Sequence, residues 1–258
     1  MKPWIVILGS SSGFGAAAAR AYAALGHPIF GAHMDRRGTM PAVEALIEEL
    51  KGHGVPVVFH NGNAASDDVR TAALDGLQAA MEEHGGKVGV LLHSLAFGTL
   101  RPYLADKPIG RRHMDMTLDV MAHSLVYWTQ DLVRREMFDS TGRIFAMTSS
   151  GSLNVWPSYG AVSAAKCALE SHIRQLALEM APMGITANAI MAGVTRTAAL
   201  EKIPGAEDIA QRALSRNPSG RLTTPEDVAE CLLALSGPGT RWMTGNIVRV
   251  DGGETITG

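Results

Sequence analysis

Cysteine is scarce in this chain: only Cys167 and Cys231 occur among its 258 residues. They lie too far apart in the sequence for a compact disulfide framework, and neither belongs to a zinc-binding motif. The nine histidines form no His-x-x-x-His pair and no carboxylate-spaced cluster, so the sequence predicts no metal site. The few thiols indicate a reducing compartment.

An excess of charge of either sign is also missing. Lys and Arg number 23 and Asp and Glu number 25, which gives a formal net charge of −2 and no basic surface suited to nucleic acid. The longest early apolar run, Trp4–Leu8, is too short for the core of a signal peptide or for a membrane span. We therefore expect a cytoplasmic protein with no nucleic-acid or membrane partner.

Aromatic residues are few as well, at 5% of the chain, whereas hydrophobic residues reach 46%. The aliphatic residues fall into seven short runs, separated by segments with a helical period near 3.6. The runs are predicted strands: Trp4–Gly9, Pro28–His33, Val55–His60, Val88–His93, Arg143–Thr148, Ile185–Ile190 and Asn246–Val250. The predicted helices between them are Ala16–Leu25, Val43–Gly52, Val69–Glu83, Met114–Met137, Tyr159–Met180 and Pro225–Leu235. This alternation favours a seven-stranded parallel sheet with helices on both faces, a doubly wound α/β fold.

No linker, charge block or repeat interrupts the pattern, which predicts a single domain over residues 1–258. One long segment, Thr195–Thr224, lacks a strand signal and holds a short helical pattern, Ala206–Ser215, between Pro and Gly residues. A segment of that length in a compact domain usually covers a site, so we expect a substrate-binding lid at about residues 195–224. A simple surface excursion is the alternative.

A glycine-rich turn follows the first predicted strand directly and leads into the alanine-rich helix. Its residues form a Gly-x-x-x-Gly-x-Gly motif: Gly9, Ser11, Ser12, Gly13, Phe14 and Gly15 are the candidate ligands. Glycine lets a diphosphate approach the backbone closely, and the helix N-terminus offers free N–H groups and a positive dipole end. The order of strand, glycines and helix predicts a dinucleotide site.

This spacing resembles that of the short-chain dehydrogenase/reductase family, and the resemblance extends over essentially the whole chain. Asn63 and Ala64 fall where the family holds the adenine ring, and Val250–Gly253 looks like its closing turn. The resemblance implies one NAD(P)-binding Rossmann domain.

The cofactor preference rests on the end of the second strand. NAD-dependent members of the family usually carry an Asp where this chain has His33, and Arg36 and Arg37 follow soon after, able to pair with a 2′-phosphate. We expect NADPH as the cofactor, with NADH as the alternative. Solvated charges at a helix entry are the other interpretation of the two arginines.

The usual catalytic motif of the family is broken. Carbonyl-reducing members carry Tyr four residues before Lys, but here Val162 precedes Lys166 at that distance, and Tyr159 lies seven residues before it. On a helix, seven residues span about 10 Å and four span about 6 Å, so the phenol is displaced one turn toward the helix start. In conjugate reduction of an enoyl thioester, charge develops on an oxygen several bonds from the carbon that accepts hydride. A more distant donor suits that reaction.

The Tyr-x6-Lys spacing resembles that of the enoyl-[acyl-carrier-protein] reductases. The His93-Ser94-Leu95 segment and the Gly193–Thr197 segment are similar to theirs, although Val194 stands where their motif has Pro. The ordinary Gly motif, with Ser149 in place of a second Tyr, looks most like the type III enzymes.

The resemblance implies a role for each candidate residue. Lys166 would bind the nicotinamide ribose and favour anionic character nearby, and Tyr159 would donate to the thioester oxygen. Ser149 would add a hydrogen bond or order Tyr159, or else only satisfy the backbone. The remaining cofactor ligands would be His93, Ser94, Leu95, Gly193, Thr195 and Thr197.

The sequence therefore predicts an NADPH-dependent enoyl-[acyl-carrier-protein] reductase of fatty acid biosynthesis. A carbonyl reductase acting on a ketone, β-ketoacyl thioester or quinone is the first alternative, and a non-catalytic dinucleotide sensor the second. The substrate carrier would be acyl carrier protein or CoA, and four arginines near the lid are candidates for contacting it: Arg196, Arg212, Arg216 and Arg221. The family resemblance also implies a homotetramer.

Overall fold

Seven parallel strands form one sheet in the computed structural model, which describes residues 2–257. The strand order is β3-β2-β1-β4-β5-β6-β7, and every neighbouring pair is parallel. The strands are β1 (Trp4–Leu8), β2 (Ile29–His33), β3 (Val57–Asn61), β4 (Val88–His93), β5 (Phe138–Ser149), β6 (Thr186–Ala192) and β7 (Ile247–Val250). The predicted doubly wound α/β fold is confirmed.

Eight α-helices connect and cover the strands within residues 2–257. They are α1 (Gly13–Ala24), α2 (Met40–Lys51), α3 (Asp67–His84), α4 (Arg111–Leu118), α5 (Ser124–Arg134), α6 (Gly160–Met180), α7 (Ala206–Arg216) and α8 (Pro225–Ser236). Apolar residues of α3, α5 and α6 pack on one face of the sheet, and those of α1, α2 and α8 on the other. No helix in this part of the chain combines the length and apolarity needed to cross a membrane.

The central strands read as continuous apolar runs because both of their faces are buried. In β1, Trp4, Val6 and Leu8 belong to one apolar cluster, while Ile5 and Ile7 belong to the cluster on the opposite face. All five side chains are fully buried. A strand of this kind cannot show the polar–apolar alternation of a half-exposed sheet.

The long helix expected at Met114–Met137 is divided in the structure. A π-helical turn over Asp119–His123 separates α4 from α5. The Ser124 hydroxyl donates to the Val120 carbonyl at 2.8 Å, one of the side-chain bonds that compete with regular helical pairing. The hydrophobic period continues through the turn, which explains why the sequence pattern does not reveal it.

The fifth strand begins five residues earlier than the sequence pattern predicts. Phe138 pairs with Val88, but the next pairing joins Arg143 to Val90, so the residues between them bulge out of the ladder. The Asp139 carboxylate accepts from the Thr141 backbone and stabilises this excursion. Because the residues in the bulge are polar, the sequence pattern does not reveal where the strand begins.

The strand order places a cleft at one edge of the sheet. The chain winds outward from β1 toward β3 in one direction and from β4 toward β7 in the other, so the order reverses between β1 and β4. Leu8 pairs with both Ala32 and His93, so β1, β2 and β4 end at the same level. Ligands of open α/β sheets bind outside the carboxyl ends of the strands at such a reversal.

The central packing makes a stability prediction. Leu91 in β4 is fully buried, whereas Leu104 is 94% exposed. We expect Leu91→Ala to lower the free energy of unfolding by about 3 kcal/mol, because it leaves a cavity between packed layers. Leu104→Ala should change it by less than about 0.5 kcal/mol. Urea denaturation of the two variants checks this, and equal losses would contradict the assigned core.

Candidate active site

A cavity of about 450 Å³ opens at the carboxyl ends of β1, β4, β5 and β6. It is lined on one side by the glycine turn after β1 and on the other by the segments that follow β5 and β6. Ser149 at the end of β5 pairs with Ala192 at the end of β6, so these two segments leave the sheet together. The parallel sheet thereby gathers residues that are far apart in the sequence.

The glycine turn leaves no room for side chains. A Cβ on Gly9, whose φ is +88°, would lie 2.5 Å from the Ser94 carbonyl oxygen, and a Cβ on Gly15 would lie 2.0 Å from the Gly9 carbonyl oxygen. Helix α1 follows at once, and the Ser12 side chain does not cap its start. The turn therefore presents backbone at a helix N-terminus to the cavity, a site that fits the diphosphate of a dinucleotide.

The end of β2 carries a carboxylate beside the glycine turn. His33 is buried, and its Nδ1 lies 3.0 Å from the Asp35 carboxylate. Burial alone would raise the pKa of Asp35, but the Ser11, Thr39 and His33 side chains lower it below its ordinary value. Asn61 bonds both the N–H and the carbonyl of Asp35 at 3.0 Å and fixes the backbone there. The negatively charged Asp35 carboxylate thus faces the glycine turn. It lies two residues after His33, the position from which the sequence analysis inferred the cofactor preference.

Three of the other four residues expected around the adenosine half lie at the protein surface, and the fourth is buried. Arg36 and Arg37 are exposed, and so is Asn63. Ala64 is buried, and its carbonyl accepts from the Trp128 indole at 2.8 Å. This bond ties the segment after β3 to α5.

Lys166 is buried between the ends of β4 and β5. Its Nζ donates to the Met147 carbonyl at 2.7 Å and lies 3.5 Å from the Leu95 carbonyl. Burial lowers the pKa of Lys166 to about 8, and the Glu170 carboxylate one helical turn away opposes this shift. Glu170 is itself buried and accepts from the Thr148 hydroxyl at 2.6 Å. The ammonium is thereby fixed but poorly solvated.

Tyr159 immediately precedes α6 and is therefore outside the helix in which the sequence pattern places it. Its N–H donates to the Trp156 carbonyl at 3.1 Å. A Cβ on Gly151 would lie 2.4 Å from the Tyr159 ring and 3.2 Å from the Ser149 hydroxyl oxygen, so glycine allows the phenol and the serine to converge. The buried Ser149 oxygen has no hydrogen-bond partner within residues 2–257.

The phenol is neutral in this environment. Burial raises the pKa of Tyr159 above its ordinary value, and the nearby Ser149 hydroxyl opposes only part of that rise. Desolvation dominates the pKa of Tyr159, and the expected effect of Lys166 on anionic character at Tyr159 or on the enolate stays a prediction. A neutral phenol is a hydrogen-bond donor.

Apolar side chains surround the position four residues before Lys166, where the family resemblance implies a phenol in carbonyl-reducing members. Val162 and Met121 are buried and form a small cluster with Ala165. A Cβ on Gly98 would lie 2.8 Å from a Val162 methyl and 2.9 Å from the Met121 sulfur. No side chain of this cluster can donate a proton.

The segment after β6 faces the glycine turn across the cavity. A Cβ on Gly13 would touch the Thr197 methyl at 3.6 Å. The Thr195 hydroxyl donates to the Gly193 carbonyl at 3.0 Å, and Thr195 is buried. The two threonines thus both line the cavity from the same short loop.

His93 lies beneath the cavity and does not line it. It is fully buried, and its Nε2 lies 2.8 Å from the Ser124 hydroxyl, which itself donates to Val120. Burial lowers the pKa of His93 to about 3, so the ring is neutral. A neutral, enclosed imidazole is a structural support for the end of β4 and cannot serve as a general base for a ligand.

The structure brings most of the predicted site residues together. Those that line the cavity are Gly9, Ser11, Ser12, Gly13, Phe14, Ser94, Leu95, Ser149, Tyr159, Lys166, Gly193, Thr195 and Thr197. Those that lie outside its lining are Gly15, His33, Arg36, Arg37, Asn63, Ala64 and His93. The second group supports the turn or lies along the edge toward β3.

The segment at residues 195–224, predicted as a lid, forms one side of the cavity, but sequence reasoning did not single out its apolar lining residues or Trp156. The lining residues from this segment include Ala198, Ala199, Leu200, Ile203 and Ile209. The Trp156 indole donates to the Pro204 carbonyl at 3.0 Å, and the Arg212 guanidinium lies 5.4 Å from its ring centroid. The only available signal was a Trp in a Pro-containing loop just before Tyr159.

Comparison with known proteins agrees with this geometry. The sequence profile described as enoyl-(acyl carrier protein) reductase matches residues 9–255. The chain belongs to this family of short-chain dehydrogenases/reductases. It is therefore a member of an oxidoreductase family with a nicotinamide dinucleotide site.

Family members with different named activities are similar to this chain. A 1-cyclohexenylcarbonyl-CoA reductase of Streptomyces collinus is 29% identical over 253 residues, covering 97% of this chain and 86% of the relative. The NADH-dependent enoyl-[acyl-carrier-protein] reductase FabI of Aquifex aeolicus is 30% identical over 220 residues, covering 84% and 79%. An NADPH-dependent aldehyde reductase-like chloroplastic protein of Arabidopsis thaliana is 27% identical, covering 96% and 92%. The family is shared, and the reaction differs among its members.

Solved structures give the same result for the fold. The crystal structure of the Aquifex aeolicus enoyl reductase superposes with a TM-score of 0.83 at 26% identity, covering 99% of this chain and 97% of the other.

Residues 2–257 of this chain contain no cluster of three or more His, Cys, Asp or Glu side chains placed to hold a metal ion.

The burial of Lys166 predicts a pH dependence of stability. Between pH 8 and about 10.4 the unfolded chain holds a proton on this residue that the folded chain has released, so unfolding becomes less favourable as the pH rises. Lys166→Met removes this effect. We expect the stability of the wild type minus that of the variant to rise by about 3 kcal/mol between pH 7 and pH 10. Denaturant titration at several pH values measures it, and a constant difference would show an ordinary lysine pKa.

Proposed function

We propose that this protein is an NADPH-dependent enoyl-[acyl-carrier-protein] reductase that saturates the 2,3 double bond of an enoyl thioester in fatty acid biosynthesis. The observation that carries the proposal is the position of Tyr159. It is the one phenol among the described residues that line the cavity, and it lies at the start of α6, three residues before Val162. The position for a carbonyl-protonating phenol is apolar.

The displaced phenol suits conjugate reduction. When bound, the reduced nicotinamide supplies a hydride to the β-carbon. Negative charge would then develop on the thioester oxygen, to which a neutral Tyr159 donates a hydrogen bond, and a proton from solvent would reach the α-carbon to complete the saturation. Such a donor is most effective in a poorly solvated cavity, where its interaction with developing charge is weakly screened.

Lys166 and Ser149 support this donor in different ways. The Lys166 ammonium is fixed by the Met147 carbonyl and contributes positive potential under the reacting atoms. The unpartnered Ser149 hydroxyl faces the Tyr159 ring, so a hydrogen bond to a substrate oxygen would satisfy it. Neither residue needs to transfer a proton during the charge-developing step.

The walls of the cavity support an acyl substrate. Apolar residues from four segments of the chain line the cavity together with Tyr159: Phe97, Leu100, Met121, Val155, Trp156, Val162, Leu200, Ile203 and Ile209. A saturated chain gains about 0.8 kcal/mol for each CH₂ group that such walls remove from water. The Streptomyces and Aquifex relatives also have names that describe conjugated thioester substrates.

The glycine turn, Ser94, Leu95, Thr195 and Thr197 would hold the dinucleotide. Arg36 and Arg37 are exposed beside the end of β2 and support NADPH, because guanidinium groups pair with a 2′-phosphate. The Asp35 carboxylate opposes that preference by repulsion, which is why NADH stays the alternative.

A carbonyl reductase acting on a ketone, β-ketoacyl thioester or quinone is the rival function, and the Arabidopsis relative supports it by name. A non-catalytic dinucleotide sensor would bind the cofactor and turn over none of these substrates. A parallel assay of enoyl and β-ketoacyl thioesters with both cofactors separates the three functions.

The substrate carrier would be acyl carrier protein or CoA. Two of the four arginines considered for contacting it are paired within the chain: Arg196 bonds Glu207, and Arg221 bonds Asp227. A homotetramer is also proposed. Trp242 is 99% exposed close to the edge strand β7, which pairs only with β6 among the described residues. An exposed indole beside an open edge suits a contact between subunits.

Replacement of the phenol tests the proposed reaction. We expect Tyr159→Phe to lower kcat/KM for crotonyl thioester by about 100-fold to 1,000-fold, because one donor to the developing oxyanion is lost. Tyr127→Phe is the matched control: its hydroxyl donates to Asp119 at 3.1 Å, outside the cavity lining, and its rate should stay within about twofold. Full activity of Tyr159→Phe would refute the assignment.

Charge changes at the end of β2 test the cofactor preference. The double variant Arg36→Ala/Arg37→Ala should raise KM for NADPH about tenfold and leave KM for NADH within about twofold, because only the 2′-phosphate loses a partner. Asp35→Asn should lower KM for NADPH because it removes a repulsive charge. Initial rates with each cofactor measure both effects. Equal changes for the two cofactors would assign the arginines to the solvated surface.

A further inference from the structure

A buried carboxylate supports the loop that follows β6. Glu254, in the closing turn after β7, is 8% exposed. Its Oε2 accepts from the Val194 backbone N–H at 2.9 Å. Val194 lies between Gly193 and Thr195, which both line the cavity. Glu254 itself is outside the cavity lining, so its carboxylate contacts the loop from outside the cavity.

The loop after β6 and the closing turn are packed closely against each other. A Cβ on Gly193 would lie 2.4 Å from the Thr223 hydroxyl oxygen and 2.9 Å from Glu254 Oε2. The Gly193 N–H donates to the Val250 carbonyl at 3.0 Å, and the Glu254 N–H donates to the Asp251 carbonyl at 3.0 Å. Backbone and side-chain contacts therefore join the loop to the closing turn.

Burying a carboxylate here is costly, which indicates that the contact has a purpose. Burial raises the pKa of Glu254 above its ordinary value, and Asp251 adds to the rise, while the Val194 N–H and Arg216 oppose it. An apolar residue would fill the same space without this penalty. What the carboxylate provides is an acceptor for one backbone N–H that would otherwise be left unpaired in a half-buried loop.

We propose that Glu254 is a positioning residue for dinucleotide binding, acting through the Val194 N–H to fix the loop that carries Thr195 and Thr197. The proposal deepens the function proposed above, since it rests on this loop contacting the cofactor. Thr197 supplies the link on the cavity side, because it faces Gly13 of the glycine turn. A rotation of the Val194 peptide would move both threonines.

The pairing can be tested from both of its ends. Val194→Pro removes the N–H and leaves the Glu254 oxygen unpaired, and Glu254→Leu leaves the N–H unpaired. We expect each single variant to weaken NADPH binding about tenfold, measured by fluorescence titration without substrate. The double variant Val194→Pro/Glu254→Leu leaves neither group unpaired and should bind within about threefold of the wild type. Glu254→Gln keeps a side-chain oxygen acceptor and should bind within about twofold.

Recovery in the double variant is the decisive result, because two independent lesions would multiply to about a hundredfold loss. Such a loss, or unchanged binding in both single variants, would overturn the proposal. Hydrogen exchange of the Val194 amide is a second readout that needs no ligand: it should quicken at least tenfold in Glu254→Leu and stay slow in Glu254→Gln. If the wild type bound neither NADPH nor NADH, the proposed function would fail, and the amide exchange would still report on the pairing.

Discussion

Parallel pairing of all seven strands is the constraint on which the cavity depends. It brings the carboxyl ends of β1, β4, β5 and β6 to one edge, where segments separated by more than a hundred residues meet. Crossover helices must then cover both faces, so the central strands are apolar on both sides and rigid. The polar residues that line the cavity lie at or beyond the strand ends, because only there does the backbone leave the hydrogen-bonded sheet.

Polar groups that a stable core would exclude lie in the cavity and directly behind its walls. Lys166 is a buried ammonium with a pKa near 8, Ser149 has an unpartnered hydroxyl, and Glu170 and Glu254 are buried carboxylates. Each is held by at most a few short contacts to backbone or hydroxyl groups. Polar groups kept under-solvated in this way interact strongly with charge that develops on a ligand, and the apolar layers on both sides of the sheet offset their cost.

Much of the fold follows from local patterns. Seven aliphatic runs and the helical periods between them predict the sheet, because burial on both faces and a period of 3.6 leave clear signatures in sequence. The π-helical turn at Asp119–His123 and the bulge after Phe138 leave none. The first keeps the hydrophobic period, and the second consists of polar residues typical of any loop.

The sequence by itself determined the identity of the chemical groups: a glycine turn before a helix, and a Tyr and a Lys seven residues apart with Val162 between them. Only the tertiary structure decided their state. Desolvation keeps Tyr159 neutral and lowers the pKa of Lys166, and His93 is buried beneath the cavity that its position in the chain had suggested it would line. The contact between Glu254 and Val194, sixty residues apart, also exists only in the folded chain. Burial and long-range pairing depend on which elements pack together, and no local spacing encodes that.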